Sequence, residues 1–284
     1  MTSAIYNWQH LPEHIDPTAC SIGPIQVSWY GLMYLAAFAL VYFLVRRRIK
    51  TEKTNISLEA VQKFFPWLII GLLLGARLGD VFIYDWAYFQ NHLSQIFLPF
   101  DISDHWRYTG IYGMSYFGGL IGIVLAFFIF LRLNLKKERF SLKKILELSD
   151  IFAPAVPLAY AFGRLGNFLN GELFGRVTTK FWGMYFPADI TGQLRHPSQL
   201  YELFLEGILL FVILWNLRKY NFPVGYLTSF YLVGYGFARF TSEFFREPDN
   251  NWFFFSLTIG QWFSIVIIIF GLAIIFFQKK KVAG

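Results

Sequence analysis

Seven stretches of mainly apolar residues, at about 22–45, 64–84, 111–131, 145–169, 198–217, 224–245 and 257–277, constrain this chain more than any motif does. The hydrocarbon core of a bilayer takes about 20 residues of helix to cross, and inside it the backbone must satisfy its own hydrogen bonds. The stretches therefore predict an all-α, polytopic membrane protein with seven transmembrane helices. Only 15% of the residues are charged, against roughly a quarter in soluble domains. The two longest polar segments on the N-terminal side, about 85–110 and 172–197, are too short to enclose a core of their own. Residues 1–284 thus read as one integral membrane domain. Spans four and five are the least regular, because Pro154, Pro157 and several polar side chains interrupt them.

The net charge of +7 invites a nucleic-acid reading, but its distribution argues against one. Lys and Arg gather in RRRIKTEK after Val45, RLNLKKERFSLKK after Leu131, Arg218 with Lys219, and the run 279–281. Seventeen of the 25 basic residues then lie on one side of a seven-span topology. The other side holds Arg107, Arg176, Lys180, Arg195 and Arg246. By the positive-inside rule the N-terminus is outside and the C-terminus cytoplasmic. The first twenty residues lack the basic-then-apolar order of a cleavable signal peptide, so the first span is expected to act as the insertion signal. The single cysteine, Cys20, excludes an intramolecular disulfide and reads as an incidental thiol.

Against this background GRLGNFLNGELFG, residues 163–175, is anomalous: an Arg, two Asn and a Glu fall within nine residues of an apolar region. An arginine in the hydrocarbon costs at least ~2.5–3.5 kcal/mol on insertion scales, so it needs a partner or a water-filled cavity. Continued as helix, the stretch lines up Arg164, Asn167, Gly171 and Gly175, with Glu172 beside them. Broken at its glycines, it bares backbone amides to a ligand instead. Span six carries a counterpart, with Tyr235, Arg239, Ser242, Glu243 and Arg246 on one helical face and Glu243 in reach of either arginine. Two such arginines near the outer face would form a bidentate clamp for a lipid phosphate. Alternatively, Arg164–Glu172 and Arg239–Glu243 pair only to hold helices together. Clustering of the polar residues at one depth in two spans favours the clamp.

Other blocks say less. GLLLGARLG at 71–79 and GGLIG at 118–122 are small-xxx-small patterns, which predict close helix packing. RHPSQLYE at 195–202 opens span five, where His196 or Ser198 either caps the helix or faces the site. The sequence has no HExxH, no CxxC and no Walker loop, so it predicts neither a metal site nor a nucleotide cofactor.

GRLGNFLNGELFG resembles the signature of the prolipoprotein diacylglyceryl transferases of bacterial inner membranes. SIGPIQVSWYGLMY, GMSYFGGLIG, RHPSQLYE and YGFARFTSEFFREPD occur in that family's order and approximate spacing, over nearly the whole chain. The resemblance implies an enzyme that moves the diacylglyceryl group of phosphatidylglycerol to the lipobox cysteine of a preprolipoprotein. The products would be a thioether and glycerol 1-phosphate, formed at the outer leaflet without a cofactor. It carries phospholipid binding and catalysis to Arg164, and the essential pair of span six to Arg239 and Glu243. Asn167, Glu172 and Gly175 match signature positions, and Tyr30 matches the tyrosine of the first span. Tyr235, His196, Arg246, Gly118 and Gly119 complete the expected substrate-binding set.

One position departs from the pattern. Where the family carries a histidine before the Gly-Gly pair, often assigned as general base, this chain has Phe117, which accepts no proton. Tyr116, Glu243 and His196 are the alternative bases, unless the cations alone favour thiolate or the chain is an inactive relative. A transporter would show internal repeats and polar residues midway along several spans, and neither is seen. A lipid-binding scaffold without chemistry would share the features above.

Overall fold

In the computed structural model the protein is described over residues 3–23, 25–52, 54, 56–98, 100–101, 107–108, 113–134, 142–248 and 253–283. In chain order the elements are α1 (Ser3–Gln9), β1 (Thr18–Ile22), β2 (Ile25–Ser28), α2 (Trp29–Thr51), α3 (Leu58–Gly79), α4 (Trp86–Phe89), β3 (Phe100–Asp101) and β4 (Arg107–Tyr108). There follow α5 (Tyr116–Asn134), α6 (Leu142–Phe152), α7 (Val156–Leu169), α8 (Ser198–Glu202), α9 (Leu210–Leu217), α10 (Tyr226–Ser242), β5 (Phe253–Phe254), β6 (Leu257–Thr258) and α11 (Ile259–Ala283). Among the described residues the strands form three separate two-stranded pairs. A π-helical stretch, Leu203–Leu209, joins α8 to α9 in one rod, and another, Asp80–Tyr84, prolongs α3.

Each of the seven apolar stretches contains a helix. Among the described residues, four helices are long and apolar enough to cross a membrane alone: Trp29–Thr51, Leu58–Tyr84, Ser198–Leu217 and Ile259–Lys279. Only 17–28% of their apolar windows is buried within the protein, and side chains such as Leu35, Phe43, Ile70, Phe204 and Phe276 stand exposed. Such outward apolar faces suit lipid rather than water. The fourth stretch is not the single helix expected over 145–169. It is α6 and α7, bent by 54°, with Pro154 and Pro157 at and just after the break. Proline supplies no N–H to the preceding turn, but is tolerated in the first turn of a new helix, where α7 has it.

By internal contacts the chain forms two compact units: residues 1–21, 26–52 and 143–284, and residues 22–25 and 53–142. In the second unit α3 and α5 meet along the predicted glycine seam. A Cβ added to Gly75 would fall 2.6 Å from the Cα of Gly122, and one added to Gly118 would fall 2.8 Å from the Cα of Gly79. Only bare backbones approach so closely. At the end of this seam Arg77 is buried and spends its donors on main-chain oxygens: Nε to Ile96 at 2.8 Å, Nη2 to Gln95 at 2.7 Å and Nη1 to Gly113 at 3.4 Å.

In the first unit the break between α6 and α7 is stabilised from both sides. Arg48, from the basic run after Val45, is only 4% exposed and donates from Nη1 to the carbonyls of Asp150 and Ile151, each at 2.7 Å. It thereby satisfies carbonyls that the end of α6 leaves unpaired. The Asp150 side chain in turn accepts from the amides of Gly225 (2.6 Å) and Thr228 (2.8 Å), capping α10. These contacts fix α7 and α10, the two helices that carry the arginines of interest.

Candidate functional site

Tyr160, Gly163, Arg164 and Asn167 share one face of α7 by their three- and four-residue spacing. Arg164 Nε lies 2.5 Å from Glu202 Oε2 and 2.8 Å from the Tyr160 hydroxyl. Its Nη1 donates to Asn167 Oδ1 at 3.3 Å, and its guanidinium sits 4.9 Å above the Tyr160 ring. Beside it, nothing lies within 4 Å of where a Cβ on Gly163 would be, whereas every other helical glycine described has a neighbour there. The face that carries Arg164 is open at Gly163.

The helix does not continue through the signature. α7 ends at Leu169, and Gly171 (φ 68°) and Leu173 (φ 57°) turn the chain through left-handed conformations. Of the two expectations, the glycine break is the one found. The turn is clamped by the start of α8: Gln199 Nε2 donates to the Glu172 carbonyl at 2.6 Å and Ser198 Oγ to that of Leu173 at 3.1 Å. This aims the Glu172 side chain back at Asn167, whose Nδ2 donates to it at 2.8 Å. Glu172 therefore orients Asn167 and does not pair with Arg164.

Arg164 pairs with Glu202, which is 1% exposed. Glu202 also receives Arg239 Nη1 at 3.0 Å, and Arg246 Nε stands 3.7 Å away. One buried carboxylate thus gathers arginines that lie on α7, on α10 and just beyond α10. Glu206, one turn on, is wholly buried and 4.0 Å from Arg239 Nη1. The widened turn of the π-helical stretch brings two residues four apart to the same side of the rod.

Glu243 pairs with Arg239 Nη2 at 2.6 Å, as its spacing predicted. Its other oxygen accepts from Thr258 Oγ1 at 2.9 Å. That threonine opens α11 with a reciprocal cap, Thr258 N to Gln261 Oε1 at 3.0 Å and Gln261 N to Thr258 Oγ1 at 3.2 Å. Glu243 therefore rests on the positive end of a helix dipole, which helps hold the carboxylate in place. α10 ends at Ser242 rather than continuing, and Arg246 comes nearest to Glu202 instead of Glu243.

The remaining expected residues fall in several places. Tyr235 packs edge-on against Tyr160 at 5.7 Å. Tyr30 bonds the Tyr34 hydroxyl at 3.1 Å and lies over Gly166 of α7. Gly175 is required by its surroundings: its amide donates to the His196 carbonyl at 2.8 Å, and an added Cβ would lie 2.7 Å from that same oxygen. His196 contacts Tyr201 (3.0 Å) and the Phe245 ring, and makes no bond to the arginine cluster among the described residues. Burial and the nearby Lys180 hold its imidazole below its usual pKa. Gly118 and Gly119 lie on α5 of the second unit, where Gly118 serves the helix seam. The side chains of Tyr116 and Phe117 lie outside the described residues.

Sequence reasoning missed Glu202 and Glu206. The signal was present: two carboxylates four residues apart within the apolar stretch 198–217, where an ionisable side chain needs a partner as much as an arginine does. Among the described residues no group of His, Cys, Asp and Glu could hold a metal ion.

Mostly helical, with several helices long and apolar enough to span a bilayer, the molecule is a polytopic membrane protein that carries an arginine–carboxylate cluster. Residues 17–277 match the family model for prolipoprotein diacylglyceryl transferase. The phosphatidylglycerol–prolipoprotein diacylglyceryl transferase of Chlorobaculum tepidum is 44% identical over 96% of this chain and 93% of its own length. Proteins of the same name from Bordetella parapertussis (42% identical, 94% of this chain and 96% of the relative) and Helicobacter pylori (38%, 96% of each) are similar over comparable lengths. The chain belongs to the prolipoprotein diacylglyceryl transferase family.

Proposed function

We propose that this chain transfers the diacylglyceryl group of phosphatidylglycerol to the lipobox cysteine thiol of a preprolipoprotein, forming a thioether and releasing glycerol 1-phosphate. The observation that carries the reading is the meeting of Arg164 and Arg239, from two helices, on the single carboxylate of Glu202. Guanidiniums already arranged around a carboxylate are arranged for another oxyanion, and their planar forks suit phosphate. The open face at Gly163 gives a headgroup room beside Arg164.

In this reaction a sulfur attacks a glycerol carbon and the C–O bond to phosphate breaks. Negative charge grows on the departing oxygen, and fixed cations in a site of low dielectric stabilise it without reorganising. An unperturbed thiol with pKa ~8.5 is only slightly ionised at neutral pH, and the same cations favour its thiolate. Arg164 and Arg239 carry this work, Glu243 holds Arg239, and Asn167 with Glu172 holds the far side of Arg164. Tyr30, Tyr235, Gly175, His196 and Arg246 shape the walls. Gly118 and Gly119 follow Phe117, where the family places its base.

The same reading takes the protein as one integral domain with seven spans, N-terminus out and C-terminus in, in the bacterial cytoplasmic membrane. The basic clusters support this orientation. The site then faces the outer leaflet, where a secreted lipobox arrives.

The test incubates purified protein with phosphatidylglycerol micelles and a lipobox peptide, and follows glycerol phosphate release and peptide mass. Turnover by the wild type, lost in Arg164→Ala and Arg239→Ala, supports the transferase. Activity only in Phe117→His would mean this member has lost its base. Silence from all variants, with lipid still bound, would leave a scaffold.

A further inference from the structure

Glu206 is a buried carboxyl for which the reaction above has no task. It is 0% exposed, and among the described residues its Oε2 has no hydrogen-bond partner. Oε1 stands 2.7 Å from Ser242 Oγ, which also lies 2.7 Å from the Ala238 carbonyl one turn back. A serine hydroxyl has one hydrogen and can serve only one of two acceptors. If it bonds the carbonyl, the second short contact needs a hydrogen from Glu206. The charged and titratable groups facing Glu206 are Tyr160 and Arg164 on α7, Glu202 on its own rod and Arg239 on α10. The closer pairs of both arginines are with Glu202 and Glu243. An ionised carboxylate without its own cation is costly to bury, and a neutral acid is far less so.

We propose that Glu206 is a neutral carboxylic acid in the resting enzyme, donating to Ser242 and holding the proton that the leaving phosphate takes up. Among the described residues, the carboxylates in ion-pair range of Arg164 and Arg239 are Glu202, Glu206 and Glu243. With Glu206 neutral, these two arginines balance Glu202 and Glu243, whereas an ionised Glu206 would leave a net negative charge facing the phosphodiester. The chemistry balances in protons. The S–C bond forms, the C–O bond breaks, the thiol loses a proton and the departing phosphate oxygen gains one. Glu206 lends that proton and recovers it from the thiol, so a turnover consumes none. The inference rests on the proposed transferase reaction for the use of the proton, but not for its presence.

Infrared spectroscopy of the full chain in detergent micelles, without substrate, reads the proton directly. The wild type should show the C=O band of a protonated carboxyl that shifts in D2O. Glu206→Gln should remove it, and Ser242→Ala should move it by removing its hydrogen-bond partner. In turnover, Glu206→Gln should lower kcat by about 100-fold, the usual scale for a lost proton donor. Its affinity for phosphatidylglycerol should move less than about twofold, a split that a collapsed site would not give. Absence of the band in the wild type, its survival in Glu206→Gln, or an unchanged kcat in that variant would each overturn the proposal. A wild type that forms no thioether yet shows the band would instead defeat the transferase reading.

Discussion

Arg77 and the pair Arg164 and Arg239 are all arginines set in apolar helices and largely shielded from solvent, yet they are held in different ways. Arg77 is bonded mainly to neutral main-chain oxygens, of Gln95, Ile96 and Gly113, with Asp80 at 3.7 Å and the Phe89 ring 4.7 Å below it. Arg164 and Arg239 are bonded to carboxylates and a tyrosine hydroxyl. A carbonyl stripped of its donor stays buried and unsatisfied, so a ligand gains little by taking Arg77 away from its partners. A carboxylate site already balances an anion against the guanidinium, so one oxyanion can share or replace another. Burial of an arginine in a membrane helix therefore does not mark function; the charge of its partners does. Arg48, in the last turn of α2, stands between the two kinds: it donates to the carbonyls of Asp150 and Ile151 and also pairs with Glu52 at 3.0 Å.

The contrast breaks if both kinds of arginine respond alike. Arg164→Ala or Arg239→Ala should cut glycerol phosphate release by about 10³-fold, the upper range for losing one oxyanion donor, while leaving a folded protein. Arg77→Ala should act on stability, by roughly 3–5 kcal/mol, because each buried carbonyl left without its donor costs about 1–3 kcal/mol. Chemical denaturation in detergent measures this, and the fraction that stays folded should turn over normally. Loss of turnover in folded Arg77→Ala would erase the distinction.

Glu202→Gln sharpens it. That change removes the internal anion, so added phosphatidylglycerol should stabilise the variant more than the wild type, with binding tighter by roughly tenfold, or about 1.4 kcal/mol. Thermal melts with and without lipid decide the point, and an equal shift in both proteins would show that Glu202 and the headgroup do not compete. Gly75→Ala should cost about 1–3 kcal/mol through overpacking of the uncharged seam, with no change in lipid affinity.

The smallest effect belongs to His196. Because its folded pKa is depressed, the unfolded chain takes up the proton first as the pH falls. Its contribution to stability is therefore complete above the usual histidine value of about 6.5 and declines below it. Replacing it with Gln should flatten that part of the melting-temperature profile. A His196→Gln profile that still falls in parallel with the wild type would assign the effect elsewhere.

Much of this was written in the local sequence. Apolar runs place helices, because period and length are properties of contiguous residues. The glycine seam followed from GLLLGARLG and GGLIG, and the Arg239–Glu243 pair from a four-residue spacing. Pro154 and Pro157 marked an irregular fourth span, though not the angle at which it bends. Arg164 and Arg239 stood out singly, since one charge in an apolar run is visible wherever it lies.

What the sequence could not decide was who meets whom. Arg164 has Glu172 eight residues away, yet it pairs with Glu202, thirty-eight residues on. The reason is physical: the turn at Gly171 and Leu173 points Glu172 at Asn167, and a π-helical turn in another rod points Glu202 and Glu206 inward. Partners across helices depend on rotation and depth, which spacing along one chain segment does not encode. The sequence determined that charges must be buried; the tertiary structure decided that three arginines share a single carboxylate.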